Sequence, residues 1–435
     1  SGAVEWVIIS YLIVIAGVLL TVGRLADMVG RKTLWIVGLV VFTLGSATCG
    51  AAPTLLILIL ARAFQGLGGA LIMSVSPAML TGAFPDEERG RALGINAIFV
   101  ALGVSIGPTL GGLITQSLTW RWIFYVNVPL GILGIICAAL VLKEHKKGAS
   151  GRFDPAGALL LAAGLVALTL GLSFGQEWGW SSPALIATLV VCVVALILLG
   201  VVERRVVDPI LDFALLRNRV FFSANVSLIL SNLALFTVSF MLPFYLEELR
   251  GLQPGEAGLL LTPLPLTIAV IAPFSGALAD RIGSRWLAAG GLLIACVGLL
   301  LLSQINAQSS LPDIIWRLIF TGVGQAIFQS PNNSALMGAA PRHQQGSASG
   351  FLATSRVMGQ SVSVALSGAI FVGLGGALAG ATLIHLSPGA PLAASMTLQN
   401  TFTVAFHSAF IVCAIVAGIG VLTSLVRGKE QVKRK

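Results

Sequence analysis

Charged residues are scarce in this sequence. They make up 10% of its 435 residues, against about 25% in ordinary soluble domains, and the mean hydropathy is +0.96. A soluble protein of this size with so few charges would precipitate, whereas a protein that crosses a membrane many times would not. The composition therefore excludes an ordinary soluble domain and indicates an integral membrane protein.

The sequence also lacks the patterns that enzymes and metalloproteins need. Its five cysteines lie in apolar stretches without a CxxC pair, and its four histidines are scattered. Neither a disulfide framework nor a metal site is therefore expected. No Gly-Lys-Ser or Gly-Lys-Thr follows a glycine-rich loop, which argues against ATP binding. We expect no catalytic residue, no metal and no cofactor, so any transport would draw on a gradient or be passive.

What the sequence has instead is a series of apolar runs long enough to cross the hydrocarbon core of a bilayer. The predicted fold class is all-α and integral to the membrane. We predict thirteen spans, at 5–23, 34–52, 54–83, 91–116, 122–142, 156–175, 183–202, 220–246, 257–279, 286–304, 311–338, 347–375 and 401–426.

The basic residues lie on one side of these spans. Seven alternate connections hold 21 of the 26 lysines and arginines, whereas the opposite connections hold two, Arg121 and Arg250. Because basic loops stay in the cytoplasm, this predicts a multi-pass protein of the cell membrane with a cytoplasmic C-terminus. The net charge of +9 then lies against the inner leaflet of the lipid bilayer and needs no nucleic-acid partner.

The same count places the first residue outside the cell. An external N-terminus without a cleavable signal is difficult to insert, and the sequence starts at Ser1. We therefore expect that one helix is missing upstream, and a true thirteen-helix protein is the alternative.

The remaining three basic residues, Arg62, Arg317 and Arg356, lie inside predicted spans. A guanidinium stays charged, so within a bilayer it must face a partner or a water-filled cavity. Such a residue marks a solute or ion pathway more often than packing. A static hydrogen-bond hub is the alternative for Arg62, and Arg317 and Arg356 are near enough to helix ends to reach the interface.

An internal repeat divides the chain. The segment GRLADMVG at 23–30 recurs as GALADRIG at 276–283, and GLGGA at 66–70 recurs as GVGQA at 322–326. Two similar halves are typical of secondary transporters, which bind substrate between the halves. We predict an N-terminal bundle at 1–150 with five visible helices, two extra linking helices at 151–210 and a C-terminal six-helix bundle at 211–430.

The first repeat places a carboxylate at a helix end. Asp27 lies among Arg24, Arg31 and Lys32, and Asp280 is its counterpart. A carboxylate there can pair with these cations or with a neighbouring helix N-terminus and so stabilise one closed state. A basic loop that only fixes orientation is the alternative. Gly23 and Gly30 allow close helix approach and a tight turn.

Four motifs resemble those of one family. GRLADMVGRK is similar to the helix 2–3 motif of the major facilitator superfamily, and RAFQGLGGA to its helix 4 motif. GVSIGPTLGG resembles the helix 5 motif of its antiporters. WRWIFYVNVPLG and FQSPNNSALMG resemble the fourteen-helix drug:proton antiporters of the QacA/EmrB type. The resemblance implies the major facilitator fold with two pseudo-symmetric bundles and two extra linking helices.

The resemblance also implies roles for particular residues. Arg62, with Gln65 and Gly66, would serve proton coupling. Gly23, Asp27, Gly30, Arg31 and Asp280 would form a cytoplasmic gate. The antiporter motif comprises Gly103, Gly107, Pro108, Gly111 and Gly112. The glycines at 103, 107 and 111 share one helix face, so we expect them to pack closely against a neighbour. No carboxylate lies deep in a span, and in the family a leading candidate for the coupling acid is in helix 1.

Polar side chains gather on two helices that line the central cavity by analogy with the superfamily. The candidates are Asn225, Asn232, Gln325, Gln329, Asn332 and Asn333. Amides often only bridge helices, but the Asn-Asn pair follows Pro331, which frees backbone groups that need polar partners.

Three functions fit these observations. The first is proton-coupled export of hydrophobic or cationic drugs by alternating access, by a monomer. The second is export of one specific metabolite, lipid or antibiotic. The third is a transport-inactive sensor or scaffold, although no long extra soluble segment supports it.

Overall fold

A computed structural model describes residues 2–85, 88–142, 153–179, 181–206, 213–385 and 392–427, and every regular element in these ranges is helical. The helices are α1 Gly2–Val29, α2 Arg31–Ala51, α3 Leu55–Ala83, α4 Arg89–Ser117, α5 Trp122–Tyr125, α6 Asn127–Val141, α7 Pro155–Trp178, α8 Pro183–Glu203, α9 Phe213–Arg217, α10 Arg219–Phe244, α11 Pro254–Leu261, α12 Pro263–Ile282, α13 Ser284–Leu302, α14 Leu311–Ala339, α15 Gln345–Gly373, α16 Gly376–Ile384 and α17 Leu392–Leu425.

The spans follow the predicted pattern. Among the described residues, twelve helical stretches are long and apolar enough to cross a membrane. The predicted span at 91–116 is also one helix, α4, which is as long as α3 at 29 residues. The all-α membrane fold is therefore confirmed.

Two of the basic connections are shorter in the structure than the sequence predicts. The segment 24–33 was expected to link two spans, but α1 continues to Val29 and α2 begins at Arg31. Gly30 alone forms the turn, with a φ of 113° that side-chain-bearing residues rarely adopt. Gly283 forms the equivalent turn between α12 and α13, with a φ of 92°. These glycines let consecutive spans meet through one residue, so the basic side chains lie on helix ends.

The chain forms two compact units. Unit 1 comprises Ser1–Pro85, Gly111–Phe222 and Leu336–Val357; unit 2 comprises Asp86–Leu110, Ser223–Ala335 and Met358–Lys435. Each unit thus takes one segment from the other half of the sequence. The division at residues 150 and 210 stays a prediction.

Unit 1 is built around α1, α2 and α3, which pack against one another, while α7 packs against α1 and α8. Small residues permit the close approach of α2 and α3. A Cβ placed on Gly45 would lie 2.7 Å from Gln65 Cα, and a Cβ on Gly38 would lie 2.7 Å from Leu71 Cβ. Apolar surface gives helices in lipid little reason to associate, so such small-residue contacts provide much of the packing energy.

Unit 2 repeats this arrangement in α12, α13 and α14. In unit 1, where α3 meets α1, a Cβ on Gly66 would lie 2.9 Å from Tyr11 O. In unit 2, where α14 meets α12, a Cβ on Gly322 would lie 2.9 Å from Leu264 O. Position 322 follows 66 by 256 residues, and 264 follows 11 by 253, which are the offsets of the two sequence echoes. The internal repeat is therefore also a repeat of helix contacts.

Candidate functional site: two acid caps and an arginine network

Asp27 caps the N-terminus of α15. It lies near the end of α1 and is 4% exposed. Its Oδ1 accepts a hydrogen bond from the backbone N–H of Gly346 (2.8 Å), and its Oδ2 accepts one from the N–H of Ser347 (2.9 Å). The first N–H groups of a helix lack partners within the helix and carry partial positive charge, so a carboxylate suits this position. We call this arrangement the first acid cap.

Arg31 joins the first acid cap to α3. Its Nη2 forms a 3.2 Å ion pair with Asp27 and donates to the carbonyl of Arg342 at 3.0 Å. Its Nη1 donates to the carbonyl of Ala78 at 3.3 Å. Its Nη1 also donates to Gln345 Oε1, at the start of α15, so Arg31 links the ends of α1, α2, α3 and α15. A gating role for these residues stays a prediction.

Asp280 forms the second acid cap, on α4. Its Oδ1 accepts from the N–H of Gly90 at 2.9 Å, and its Oδ2 accepts from the N–H of Arg91 at 3.0 Å. Ser330 donates to the carbonyl of Gly90 at 3.0 Å. The second cap thus reproduces the pair of backbone bonds in the first, with the roles of the two sequence halves exchanged.

Paired glycines bring the helices of each cap into contact. A Cβ on Gly23 would lie 2.5 Å from the carbonyl oxygen of Gly346, and a Cβ on Gly276 would overlap the carbonyl oxygen of Gly90. Either overlap requires the helices to separate, because the obstructing atom belongs to the backbone. A side chain at these positions would weaken the caps.

Arg62 forms a polar network within unit 1. Its Nε donates to the carbonyl of Val7 at 3.0 Å, and its Nη1 donates to Gln65 Oε1 at 2.7 Å. Gln65 is 1% exposed and donates in turn to Ser46 Oγ at 2.6 Å. The guanidinium carbon lies 4.2 Å from the centre of the Tyr11 ring.

These partners of Arg62 are dipoles and a ring face. Gly66 provides the space for Tyr11, whose carbonyl oxygen would lie 2.9 Å from a Cβ on that glycine. The structure therefore joins all three residues of the predicted coupling set. The other predicted intramembrane arginines differ: Arg317 pairs with Asp313 at 2.9 Å, and Nε of Arg356 is buried without a hydrogen-bond partner in the described part of the chain.

The antiporter glycine motif lies in α4, but the expected close packing is absent among the described residues. A Cβ placed on Gly103, Gly107 or Gly111 would meet no described atom within 4 Å. The expectation failed because a glycine face permits close packing without requiring it. Pro108 and Gly112 also lie within the helical backbone of α4.

The six cavity candidates separate into different environments. Gln325 and Gln329 lie one helical turn apart on α14, are half-buried, and their amides bond to no other described residue. Asn332 is fully buried and donates to the carbonyl of Ala224 at 3.0 Å. Asn232 donates to the carbonyl of Leu228, on its own helix, at 2.8 Å. Asn225 and Asn333 are buried, at 6% and 8% exposure.

Sequence reasoning missed the role of Arg427. It lies just after the last predicted span, among the basic residues of one side, yet it is 0% exposed. It donates to Ser284 Oγ at 3.0 Å and to Asn332 Oδ1. This arginine therefore joins the end of α17 to α13 and α14. Nothing in a run of basic residues distinguishes a buried arginine from an exposed one.

Comparison with known proteins agrees with this geometry. Residues 1–162, 156–364 and 224–435 match the Major Facilitator Superfamily. The chain is 39% identical to the uncharacterized transporter YebQ of Escherichia coli (strain K12), over 83% of this chain and 79% of YebQ. It is 33% identical to the multidrug resistance protein Stp of Mycobacterium tuberculosis (strain CDC 1551 / Oshkosh), over 85% of this chain and 69% of Stp.

It is also 33% identical to the riboflavin transporter RibZ of Clostridioides difficile (strain 630), over 85% of this chain and 79% of RibZ. Among solved structures, the human organic anion transporter MFSD10 has the same fold, with a TM-score of 0.64 at 16% identity, covering 97% of this chain and 83% of that one. This chain belongs to the Major Facilitator Superfamily. It is a membrane transporter of small molecules and not an enzyme, as its sequence predicted.

Proposed function

We propose that the protein exports hydrophobic or cationic drugs from the cytoplasm across the cell membrane, in exchange for protons, as a monomer. The main support for this proposal is the pair of acid caps, which join helices of the first repeat to helices of the second. The similarity to the multidrug resistance protein Stp supports the drug substrates, and the asymmetry of basic residues supports a cytoplasmic C-terminus.

The acid caps provide the two-state element that alternating access needs. In the closed state each carboxylate accepts two backbone N–H bonds from a helix start. Opening at the basic ends of the helices would break both sets, and water would then hydrate the carboxylates and the amides. Because water replaces these bonds, the closed state exceeds the open state in stability by only a few kcal/mol. A bound substrate or proton can reverse such a difference.

Arg62 would couple this change to protons. A guanidinium does not release its proton at working pH, so its role is to stabilise a carboxylate that approaches it during the cycle. A charge-assisted pair with Arg62 would be stronger than its present bond to the neutral Gln65. Pairing would therefore favour release of the proton from that carboxyl group.

Export of one specific compound is the second candidate function. The similarity to the riboflavin transporter RibZ favours it, since that relative is as close to this chain as Stp is. The side chains Gln325 and Gln329, whose amides bond to no other described residue, could hydrogen-bond a polar substrate. A transport-inactive sensor or scaffold is the third candidate.

Transport in proteoliposomes tests the first function. We expect efflux of a hydrophobic cationic dye to require an imposed proton gradient and to be lost in Arg62→Ala. Arg317→Ala is the matched control, because that arginine lies at a similar point near the start of its helix but is paired with Asp313, and it should keep proton dependence. Efflux that ignores both the gradient and the Arg62 substitution would contradict coupling.

A further inference from the structure

A short π-helical turn, Tyr245–Leu249, continues α10 at the end opposite the basic connections. Single π-helical turns are rare and are found mostly at functional sites. This turn packs against α11, α16 and α17 within unit 2. It carries two adjacent carboxylates, Glu247 and Glu248, neither of which belongs to the acid caps or the arginine network.

The Glu248 carboxyl group lies in an apolar contact. Its Oε2 is buried and has no hydrogen-bond partner among the described residues. It rests on Gly380 of α16, where an added Cβ would overlap Oε2 and lie 3.1 Å from Phe402 Cε2. Only glycine at position 380 leaves room for the carboxyl group. The contact is therefore shaped around Glu248.

Phe402, which lies beside this contact, belongs to a cluster of aromatic side chains. The rings of Phe371 and Phe402 lie 5.0 Å apart, and the rings of Tyr245 and Phe406 lie 5.4 Å apart. Phe402 and Phe406 are 0% and 1% exposed. Oε2 of Glu248 thus lies over Gly380 and beside the Phe402 ring, and no described group donates a hydrogen bond to it.

The neighbouring ionisable groups supply no counter-charge. α16 contains none, and among the described residues Glu248 takes part in no ion pair. The groups on the surrounding elements already have other partners or carry the same charge. Among the groups that can be positive, Arg250 donates to Ser309 O and Tyr245 Oη, and His407 bonds to Ile305 O. The acids cannot supply a positive charge: Glu256 accepts from Gln253 N and Asp313 pairs with Arg317. Glu247 is also an acid.

Glu248 is half-buried, and it is its Oε2 that lacks water and a hydrogen-bond partner among the described residues. Negative charge on such an oxygen is costly, whereas a protonated carboxyl group in the same place costs less. We propose that Glu248 is a proton-binding site, neutral while α16 packs against the π-helical turn and ionised when α16 moves away. One proton from the aqueous side adds to one carboxylate oxygen and neutralises one charge. The proposal deepens the proposed antiport, on which it rests for its role, by supplying a proton acceptor outside the acid caps.

A hydrophobic carbodiimide tests the site directly, because dicyclohexylcarbodiimide modifies protonated carboxyl groups in apolar surroundings. The full chain in detergent is treated at neutral pH, and modified peptides are identified by mass spectrometry. We expect modification at Glu248, its loss in Glu248→Gln, and its retention in the matched control Glu247→Gln. In Gly380→Ala, where the added methyl group displaces the carboxyl group into water, modification should fall.

Transport separates the site from the proposed function. Proton-driven efflux should lose its dependence on external pH in Glu248→Gln and keep it in Glu247→Gln. Modification of Glu248 without any proton-driven transport would leave the proton site standing and refute the antiport. Absence of modification in the unsubstituted protein, or unchanged pH dependence in a stably folded Glu248→Gln, would overturn the site and leave the antiport intact.

Discussion

Removal of the Asp27 carboxylate should open the first acid cap. In Asp27→Ala, two backbone N–H groups of α15 lose their acceptor and Arg31 loses its ion-pair partner. Bonds to a charged group contribute about 1.5–3 kcal/mol each, and water replaces part of this in the open state. We expect the closed state to lose about 2–4 kcal/mol relative to the open one, or roughly 30- to 1,000-fold in their equilibrium.

Pulsed electron paramagnetic resonance can measure this shift. Val29 and His343 are exposed residues of unit 1 beside the cap. Spin labels on these two residues would report the separation of α1 from the start of α15. The exposed Cys137 is first replaced, so that it takes up no label. We expect one short distance in the parent protein and a second, longer distance in Asp27→Ala. Asp27→Asn, which keeps an oxygen acceptor but loses the charge, should give an intermediate population.

Asp313→Ala is the control for this experiment, because that carboxylate pairs with Arg317 near the opposite end of the spans. Its label distances should match those of the parent protein. An unchanged distance distribution in Asp27→Ala would refute the view that the cap stabilises the closed state.

Two further substitutions test the packing around the sites. Gly276→Ala should weaken the second acid cap by about 1–3 kcal/mol, because the new methyl group overlaps a backbone oxygen. Gly255→Ala is the control, since no described atom lies near that position. Equal melting temperatures for the two variants would contradict the contact at Gly276. Arg427→Ala should cost about 2–4 kcal/mol, because it leaves buried acceptors unpaired. A melting temperature no lower than that of Arg217→Ala, at an exposed site, would show that the buried bonds contribute little.

The sequence predicted the spans well because apolar length is a local property. It also offered a neighbouring helix N-terminus as one of the possible partners of the carboxylates at 27 and 280. It could not say which helix, because the amide partner of Asp27 lies 319 residues away along the chain. Contacts between distant spans depend on the packing of the whole fold.

Other features were beyond local patterns. The glycines of α4 were expected to pack closely, but glycine allows close approach without demanding it. Asn332 was taken as a cavity candidate, whereas a buried Arg427 occupies its amide oxygen. Burial of Glu248 Oε2 depends on Gly380, which is more than 130 residues further along the chain.

If the protein exchanges substrate for protons, a flow of substrate must drive a flow of protons, and this reciprocal flux can be measured. Proteoliposomes that contain the full-length protein and a pH-sensitive dye are given a substrate gradient without a pH gradient. We expect substrate flow in one direction to drive protons in the other, with a pH change inside the vesicles that Arg62→Ala abolishes. Substrate flow through the protein at an unchanged internal pH would contradict the account.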